Sequence, residues 1–343
     1  MISEWNYMSP NPYCSQGAFI VGAYGALNDV GALCYFAFAH SSELITKNRP
    51  TGGFDFSNNP ILSLAQRAAV SMYLRGDVKP ATVSFPIALS TDFFRNGSTK
   101  RWNYGVWQYC KLGLVGRVGH LLSDKIGSTK LPKNAAAVFE SEPAWKSVAF
   151  DVPKIDIFAK DLIDESARLK LDRGKIDAQN GVFISSTGEL LMDTKRNCWK
   201  AVSPKTEAFA LEEGQSLKGG FASAKSIQSQ AAVLLTSRDG KKLAESRRIL
   251  ILHLTDVMNS RQKFATQKRD VIVNWGRLPL LAKAGKVRIT VNSPLDGYKL
   301  YAVDTAGERL FELPIGRTNS QSILNLSVHN KKGTTLAYEL VKE

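Results

Sequence analysis

The residues best suited to chemistry stand together at the start of the chain, in the run Ser3-Glu4-Trp5-Asn6-Tyr7. The glutamate supplies a carboxylate, which can act as a nucleophile or as a base. The two aromatic residues supply flat apolar ring faces, and the asparagine supplies an amide that both donates and accepts hydrogen bonds. Sugar-binding sites use rings that stack on apolar faces and amides that bind hydroxyl groups. The run therefore indicates a carbohydrate site that includes a carboxylate.

Two strand-and-helix pairs are predicted around this run, within the first 80 residues. In chain order they are a strand that ends at Ser3, a helix with the stripe Phe19, Ala23 and Leu27, a buried strand over residues 32–39, and a helix over residues 61–75. Asn59-Pro60 is typical of the start of the second helix, and Gly76 of its end. Repeated pairs of this kind predict a parallel sheet, whose functional side chains stand where the strands end.

The same residues resemble a known enzyme family. The run around Glu4, with Pro10-Asn11-Pro12-Tyr13 after it, resembles the seventh-strand region of bacterial clan A glycoside hydrolases, the (β/α)8-barrel relatives of cellulase and β-galactosidase. Residues 32–40 resemble the eighth strand of that barrel, and residues 74–81 resemble the exit from its last helix. The fold class implied is mixed α/β and all-β, with the last two βα units of a TIM-type barrel followed by a β-sandwich-like C-terminal domain.

The resemblance also implies roles for individual residues. Glu4 matches the nucleophile of a retaining enzyme, and the residues placed at the substrate are Trp5, Asn6, Tyr7, Phe38 and His40. The acid/base glutamate of the family follows the fourth barrel strand, which this sequence does not contain. The chain is thus expected to be the C-terminal part of a retaining glycoside hydrolase, inactive alone. Its partners would be a carbohydrate substrate and the missing N-terminal barrel portion, and no cofactor is expected. The enzyme would be secreted or periplasmic if a signal peptide lies in that portion.

Three domains are predicted: a barrel end over residues 1–80, a mixed connecting region over 81–175 and a β-sandwich over 176–343. In the connecting region, residues 104–122 have helical spacing. The last region has hairpin turns at Thr187-Gly188, Asp239-Gly240, Thr305-Ala306-Gly307 and 330–333. Its stretch 275–279 also resembles, more faintly, the accessory sandwich of the same enzymes.

Several residues have a second, structural interpretation. Tyr35 and Phe36 are predicted to be barrel core rather than walls of the sugar site, and Asp55 is interpreted as a loop charge. Trp199 and Trp275 could stack on a glycan, although core packing is favoured for both. The competing functional hypothesis is a non-catalytic carbohydrate-binding or structural β-sandwich module.

Composition excludes other classes of protein. The formal charge is +14, but residues 1–80 carry five basic and five acidic side chains, and the excess downstream is scattered. We therefore predict no nucleic-acid partner. The longest apolar run has eight residues, far short of the ~20 that a membrane helix needs. The four cysteines and four histidines are dispersed, so no metal site is predicted.

Overall fold

The computed structural model describes residues 1–90, 109–123, 137–139, 174–177, 179–318 and 320–343. These residues divide into two compact units. The first unit comprises residues 1–25, 30–78 and 197–343, and the second comprises residues 26–29 and 79–196. The α-helices are α1 (Gly17–Leu27), α2 (Glu43–Thr46) and α3 (Pro60–Ala69). Short 3-10 turns cover Cys14–Gln16 and Tyr109–Leu114, and a π-helical turn covers Val70–Leu74.

The first unit begins with a pair of parallel strands, β1 (Ile2–Trp5) and β2 (Leu33–Tyr35). Helix α3 begins where the sequence predicts, because the Asn59 side chain accepts a hydrogen bond from Leu62 N at 3.0 Å and so caps the first turn. Helices α1 and α3 touch at Gly22, where an added Cβ atom would lie 2.6 Å from the Cα atom of Ala69. Glycine is therefore required for this close helix contact.

Two antiparallel sheets complete the first unit. Within this unit, seven strands of one sheet run in the order β21-β20-β26-β14-β13-β10-β9, and the five strands of the other run in the order β11-β12-β19-β23-β22. The strands of the first sheet are β9 (Cys198–Val202), β10 (Thr206–Leu211), β13 (Ala231–Ser237), β14 (Arg248–Leu254), β20 (Tyr298–Val303), β21 (Arg309–Leu313) and β26 (Ala337–Lys342). Those of the second are β11 (Ser216–Lys218), β12 (Ala222–Gln228), β19 (Lys286–Val291), β22 (Gly316–Arg317) and β23 (Ser322–Ser327).

Three two-stranded ribbons flank these sheets. Their strands are β15 (Val257–Ser260) with β18 (Arg277–Ala282), β16 (Lys263–Phe264) with β17 (Ile272–Asn274), and β24 (His329–Asn330) with β25 (Gly333–Thr334). A single hydrophobic cluster joins the two large sheets, with Phe209 and Ile251 contributed by one and Ile289 and Leu324 by the other. The unit is therefore a β-sandwich whose layers share one core.

The second unit contains a parallel sheet and three antiparallel strands. Strand β3 (Ser84–Ser90) pairs in parallel with both β4 (Arg117–Ser123) and β5 (Ala137–Phe139). The antiparallel strands are β6 (Lys175–Asp177), β7 (Val182–Ile184) and β8 (Leu190–Asp193). The core of this unit includes Phe85 and Phe183. The helix predicted over residues 104–122 is replaced by the 3-10 turn and β4 in the part of that stretch that is described.

The predicted fold class is wrong. Antiparallel sheets dominate the described residues, α-helices are few, and β1 and β2 form a two-stranded sheet of their own rather than two strands of a TIM-type barrel. The apolar run over residues 32–39 gives a strand of only three residues. Its aromatic side chains contact Trp5, His40 and the loop residues Phe54 and Phe56 instead of filling a barrel interior.

The first unit combines residues 30–78, from the predicted domain 1–80, with residues 197–343, from the predicted domain 176–343. Hydrogen bonds illustrate this grouping. The guanidinium of Arg75 donates to the Ser237 carbonyl at 2.6 Å and to Thr236 Oγ1 at 2.8 Å. In the part of the chain that is described, no helix is long and apolar enough to cross a membrane.

Candidate functional site

Seven aromatic side chains gather where β1 and β2 end. We call this group the aromatic cluster, and its members are Trp5, Tyr35, Phe36, Phe38, His40, Phe54 and Phe56. The rings meet edge to face, with centroids 4.7 Å apart for Trp5 and Tyr35 and 5.6 Å apart for Phe36 and Phe54. Phe38 and Phe54 remain 52% and 44% exposed, so the cluster presents ring surface to solvent.

Asn6 holds the aromatic cluster together. Its Nδ2 atom donates to the carbonyl of Phe36 and, at 2.9 Å, to the carbonyl of Phe54. Its Oδ1 atom accepts a hydrogen bond from the hydroxyl of Tyr35 at 2.8 Å. Both amide hydrogens are therefore used within the protein. Asn6, for which the sequence predicts contact with substrate, fixes the end of β2 against the loop that carries Phe54.

His40 is oriented by a carboxylate. Asp55 Oδ1 lies 2.7 Å from His40 Nδ1 and accepts the His40 backbone N–H at 2.7 Å. The carboxylate only accepts hydrogen bonds, so Nδ1 carries the proton and Nε2 of a neutral ring is an acceptor. The Asp55 side chain is 14% exposed, whereas that of His40 is 46% exposed. The arrangement holds the imidazole still and leaves Nε2 available to a ligand.

Glu4 lies on β1, one residue before Trp5 at the carboxyl end of the strand. Its side chain is exposed, and it makes no hydrogen bond or ion pair with any residue that the structure describes. Tyr35 is the last residue of the neighbouring strand β2, and it is the register partner of Trp5. Glu4, Trp5 and Tyr35 therefore lie at the carboxyl ends of the two parallel strands, and Asn6 follows β1 directly.

Tyr7 stands apart from this group. Its ring packs against the start of α1, where a Cβ atom added at Gly17 would lie 2.5 Å from Tyr7 Cβ. Burial raises the pKa of Tyr7, and burial raises that of Tyr35 as well, so both hydroxyls stay protonated at neutral pH. The structure brings together Trp5, Asn6, Phe38 and His40, whereas Tyr7 packs against the start of helix α1.

Asn259 anchors the loop that carries Phe54. Its Oδ1 atom accepts from Thr51 N at 2.9 Å, and its Nδ2 atom donates to the carbonyls of Thr51 at 3.0 Å and Trp275 at 2.8 Å. The Trp275 ring lies over Gly53, 3.7 Å from where a Cβ atom would be. Trp275 is 43% exposed, so the core interpretation is wrong for it, whereas Trp199 is buried in the core as predicted.

Sequence reasoning missed Asp55, Phe54 and Phe56. The alternation Phe54-Asp55-Phe56 does indicate an extended segment with its two rings on one side and its carboxylate on the other, because successive residues of such a segment point to opposite sides. Asp55 was interpreted as a loop charge because the sequence does not reveal that it contacts His40. Among the described residues, no group of three or more His, Cys, Asp or Glu side chains could hold a metal ion.

Comparisons with known proteins add no relative. No protein-family model matches the chain, and no curated protein or solved structure matches it. The resemblance to glycoside hydrolases therefore depends on its residues alone.

Proposed function

We propose that the chain is part of a retaining glycoside hydrolase, in which the aromatic cluster binds the sugar and Glu4 is the nucleophile. One observation carries the proposal. The exposed carboxylate of Glu4 precedes Trp5 of the aromatic cluster in the chain, and that cluster presents two exposed phenylalanine rings and an oriented histidine. A carboxylate, apolar ring surface and a fixed hydrogen-bonding group are the parts that a sugar-cleaving site combines.

The aromatic cluster supplies affinity. Phe38 and Phe54 offer exposed ring faces for the apolar C–H face of a sugar ring. Nε2 of His40 accepts a hydrogen bond from a sugar hydroxyl, because Asp55 holds the proton on Nδ1. Asn6 acts as a positioning residue, since its amide fixes the backbone on both sides of these rings.

Glu4 supplies the chemistry. In the first step, a carboxylate oxygen bonds to the anomeric carbon while the bond from that carbon to the leaving oxygen breaks and the leaving group departs with the electron pair. An ordinary alcohol leaving group needs a proton from a second carboxyl group about 5–5.5 Å from the first. Asp55 is engaged by His40, so the proposal assigns the acid to no residue of this chain.

A non-catalytic carbohydrate-binding module is the second candidate. It is favoured by the absence of any hydrogen bond that orients the Glu4 carboxylate among the described residues, because nucleophiles are held by such bonds in preorganised sites. Both candidates require sugar binding at the aromatic cluster, and only the first requires a reactive Glu4.

Binding is tested by titrating the chain with soluble oligosaccharides of the β-glucan, β-mannan and β-galactan types in a calorimeter. We expect at least one to bind, and we expect Phe38→Ala and Phe54→Ala each to weaken its binding about five- to tenfold. Leu310→Ala is the control, since Leu310 is also an exposed apolar residue but lies outside the cluster. Binding that survives both phenylalanine substitutions would contradict the proposal.

A further inference from the structure

A cavity of about 290 Å³ lies in the first unit, where α3 meets the ends of β14, β20 and β26. We call it the arginine cavity, because Arg67, Arg238 and Arg248 are among its lining residues. Its apolar lining includes Leu64 and Leu250. The volume is near the lower end of the range of about 300–1,000 Å³ that is typical of small-molecule sites.

Two carboxylates also line the arginine cavity, but both are occupied. Glu339 accepts hydrogen bonds from Arg248 Nε and, at 2.8 Å, from Arg309 Nε. Although burial raises the pKa of Glu339, these two guanidinium groups hold it below its usual value. Asp304 accepts the backbone N–H groups of Ala306 and Glu308, each at 2.9 Å. Among the described residues, neither carboxylate makes an ion pair with Arg67 or Arg238.

Arg248 pairs with Glu339, and the other two arginines of the cavity are Arg67 and Arg238. Neither side chain makes an ion pair or a hydrogen bond with any residue in the described part of the chain. Arg67 lies in the last turn of α3, and Arg238 follows β13 directly. Two guanidinium groups therefore border one cavity without a carboxylate partner, and a planar guanidinium is well suited to bind carboxylate, sulfate or phosphate oxygens.

A hydrogen-bonded turn over residues 304–308 forms one wall of the cavity. Besides accepting the two hydrogen bonds at its carboxylate, Asp304 donates its backbone N–H to the Glu308 carbonyl at 3.0 Å and accepts that of Gly307 at 3.2 Å. Gly307 has a φ of 95°, which favours glycine, and a Cβ atom there would meet nothing within 4 Å. The hydrogen bonds of the turn therefore fix Thr305 before a ligand binds. Less conformational entropy of the protein is then lost on binding.

We propose that the arginine cavity binds a small organic anion, whose oxyanion group lies between Arg67 and Arg238 and whose body packs against Leu64 and Leu250. The shared chemistry is a carboxylate, sulfate or phosphate on a body about the size of one sugar ring. This site lies outside the aromatic cluster, and the inference does not depend on the function proposed above.

Four ligands with one sugar body test this inference in the full chain: glucuronic acid, glucose 6-sulfate, glucose 6-phosphate and neutral glucose. At low salt we expect calorimetry to detect binding of at least one anion that is tighter than any binding of glucose, and the anion that binds identifies the source of the charge. Arg67→Gln/Arg238→Gln should weaken that binding about tenfold or more, because it removes two charge-assisted hydrogen bonds.

The control variant is Lys218→Gln/Lys225→Gln, which removes the same charge from exposed positions on β11 and β12. It should bind the anion as the original chain does, and both variants should retain the original melting temperature. The inference is overturned if no anion binds, if Arg67→Gln/Arg238→Gln keeps the original affinity, or if the control loses as much affinity.

Discussion

His253 is an imidazole buried in the middle of a sheet. It lies on β14 opposite Val233 and has no exposed surface. Neither ring nitrogen has a hydrogen-bond partner among the described residues. Burial lowers the pKa of His253 to about 3, because a protonated ring would lose its hydration without gaining a partner. The folded state therefore holds this ring neutral.

The stability of the first unit should consequently fall with acid. An unfolded histidine has a pKa of about 6.5, so between that value and about 3 the unfolded state binds more protons than the folded state. The contribution to stability is fully present above about pH 6.5 and is lost by about 1.4 kcal/mol per pH unit below it. In urea titrations from pH 7 to pH 4.5, His253→Leu should make the free energy of unfolding less dependent on pH. Identical pH slopes for His253→Leu and the original chain would contradict this explanation.

His40 and Asp55 should act as one unit in sugar binding. Asp55→Ala removes the acceptor that fixes the Nδ1 proton of His40. Although the Asp55 side chain is largely buried, this substitution should therefore weaken sugar binding about fivefold. After His40→Ala, the further substitution of Asp55 should change affinity little. A double-mutant cycle measured by calorimetry checks this. Fully additive effects of the two substitutions would mean that Asp55 does not act through His40.

At this scale the sequence predicts residue types better than partners. Glu4, Phe38 and His40 were identified as candidates, and the latter two lie in the aromatic cluster. The use of the Asn6 amide could not be predicted, because its partners are backbone carbonyls 30 and 48 residues away. Contacts across such distances depend on how loops fold back, which local pattern does not encode.

Helices α1 and α3 are elements that local pattern does predict. The stripe Phe19, Ala23 and Leu27 is buried, and Asn59 caps α3. The predicted turn at residues 305–307 lies between the paired strands β20 and β21. In contrast, the turn predicted at residues 330–333 joins only the short strands β24 and β25, and the longer strands on either side, β23 and β26, lie in different sheets of the sandwich. Alternation marks a strand with one buried face, but it does not say which sheet the strand joins.

The contact between α1 and α3 gives a test at the scale of elements. Gly22→Ala places a methyl group 2.6 Å from the Cα atom of Ala69, and backbone cannot move aside as a side chain can. We expect this substitution to destabilise the first unit by about 1–3 kcal/mol, despite the better helix propensity of alanine. Gly31→Ala is the matched control, because a Cβ atom there meets nothing within 4 Å. Thermal unfolding measures both, and equal stability of the two variants would refute the packing argument.

Over the whole molecule, positive charge is distributed rather than massed. Arg248 and Arg309 pair with Glu339, Lys299 pairs with Glu343, and Lys242 lies 3.7 Å from Glu245. The formal charge of +14 thus includes many partly compensated groups. The fold class could not be predicted at this scale, because the resemblance concerned a short block of residues. The strands that surround that block form a sandwich instead of a barrel.

Nucleic-acid binding should accordingly be weak and nonspecific. We expect the fluorescence anisotropy of a labelled DNA duplex to stay unchanged on addition of the chain at about 0.15 M salt, since scattered charges release few counterions together. Lys241→Gln/Lys242→Gln/Arg247→Gln should alter solubility and not ligand affinity. Tight duplex binding that falls steeply with salt and is lost in this variant would reverse the conclusion.

The central claim is that Glu4 attacks an anomeric carbon, and covalent trapping tests it most directly. A 2,4-dinitrophenyl 2-deoxy-2-fluoroglycoside is the reagent, because dinitrophenolate leaves without a proton and no general acid is needed. We expect one of the gluco-, galacto- or manno-configured reagents to add one fluoroglycosyl group to the chain, and peptide mass spectrometry to place it on Glu4. Glu4→Gln should abolish the labelling, whereas Glu43→Gln, another exposed glutamate, should not. No adduct with any of the three reagents, or an adduct on a residue other than Glu4, would contradict the account.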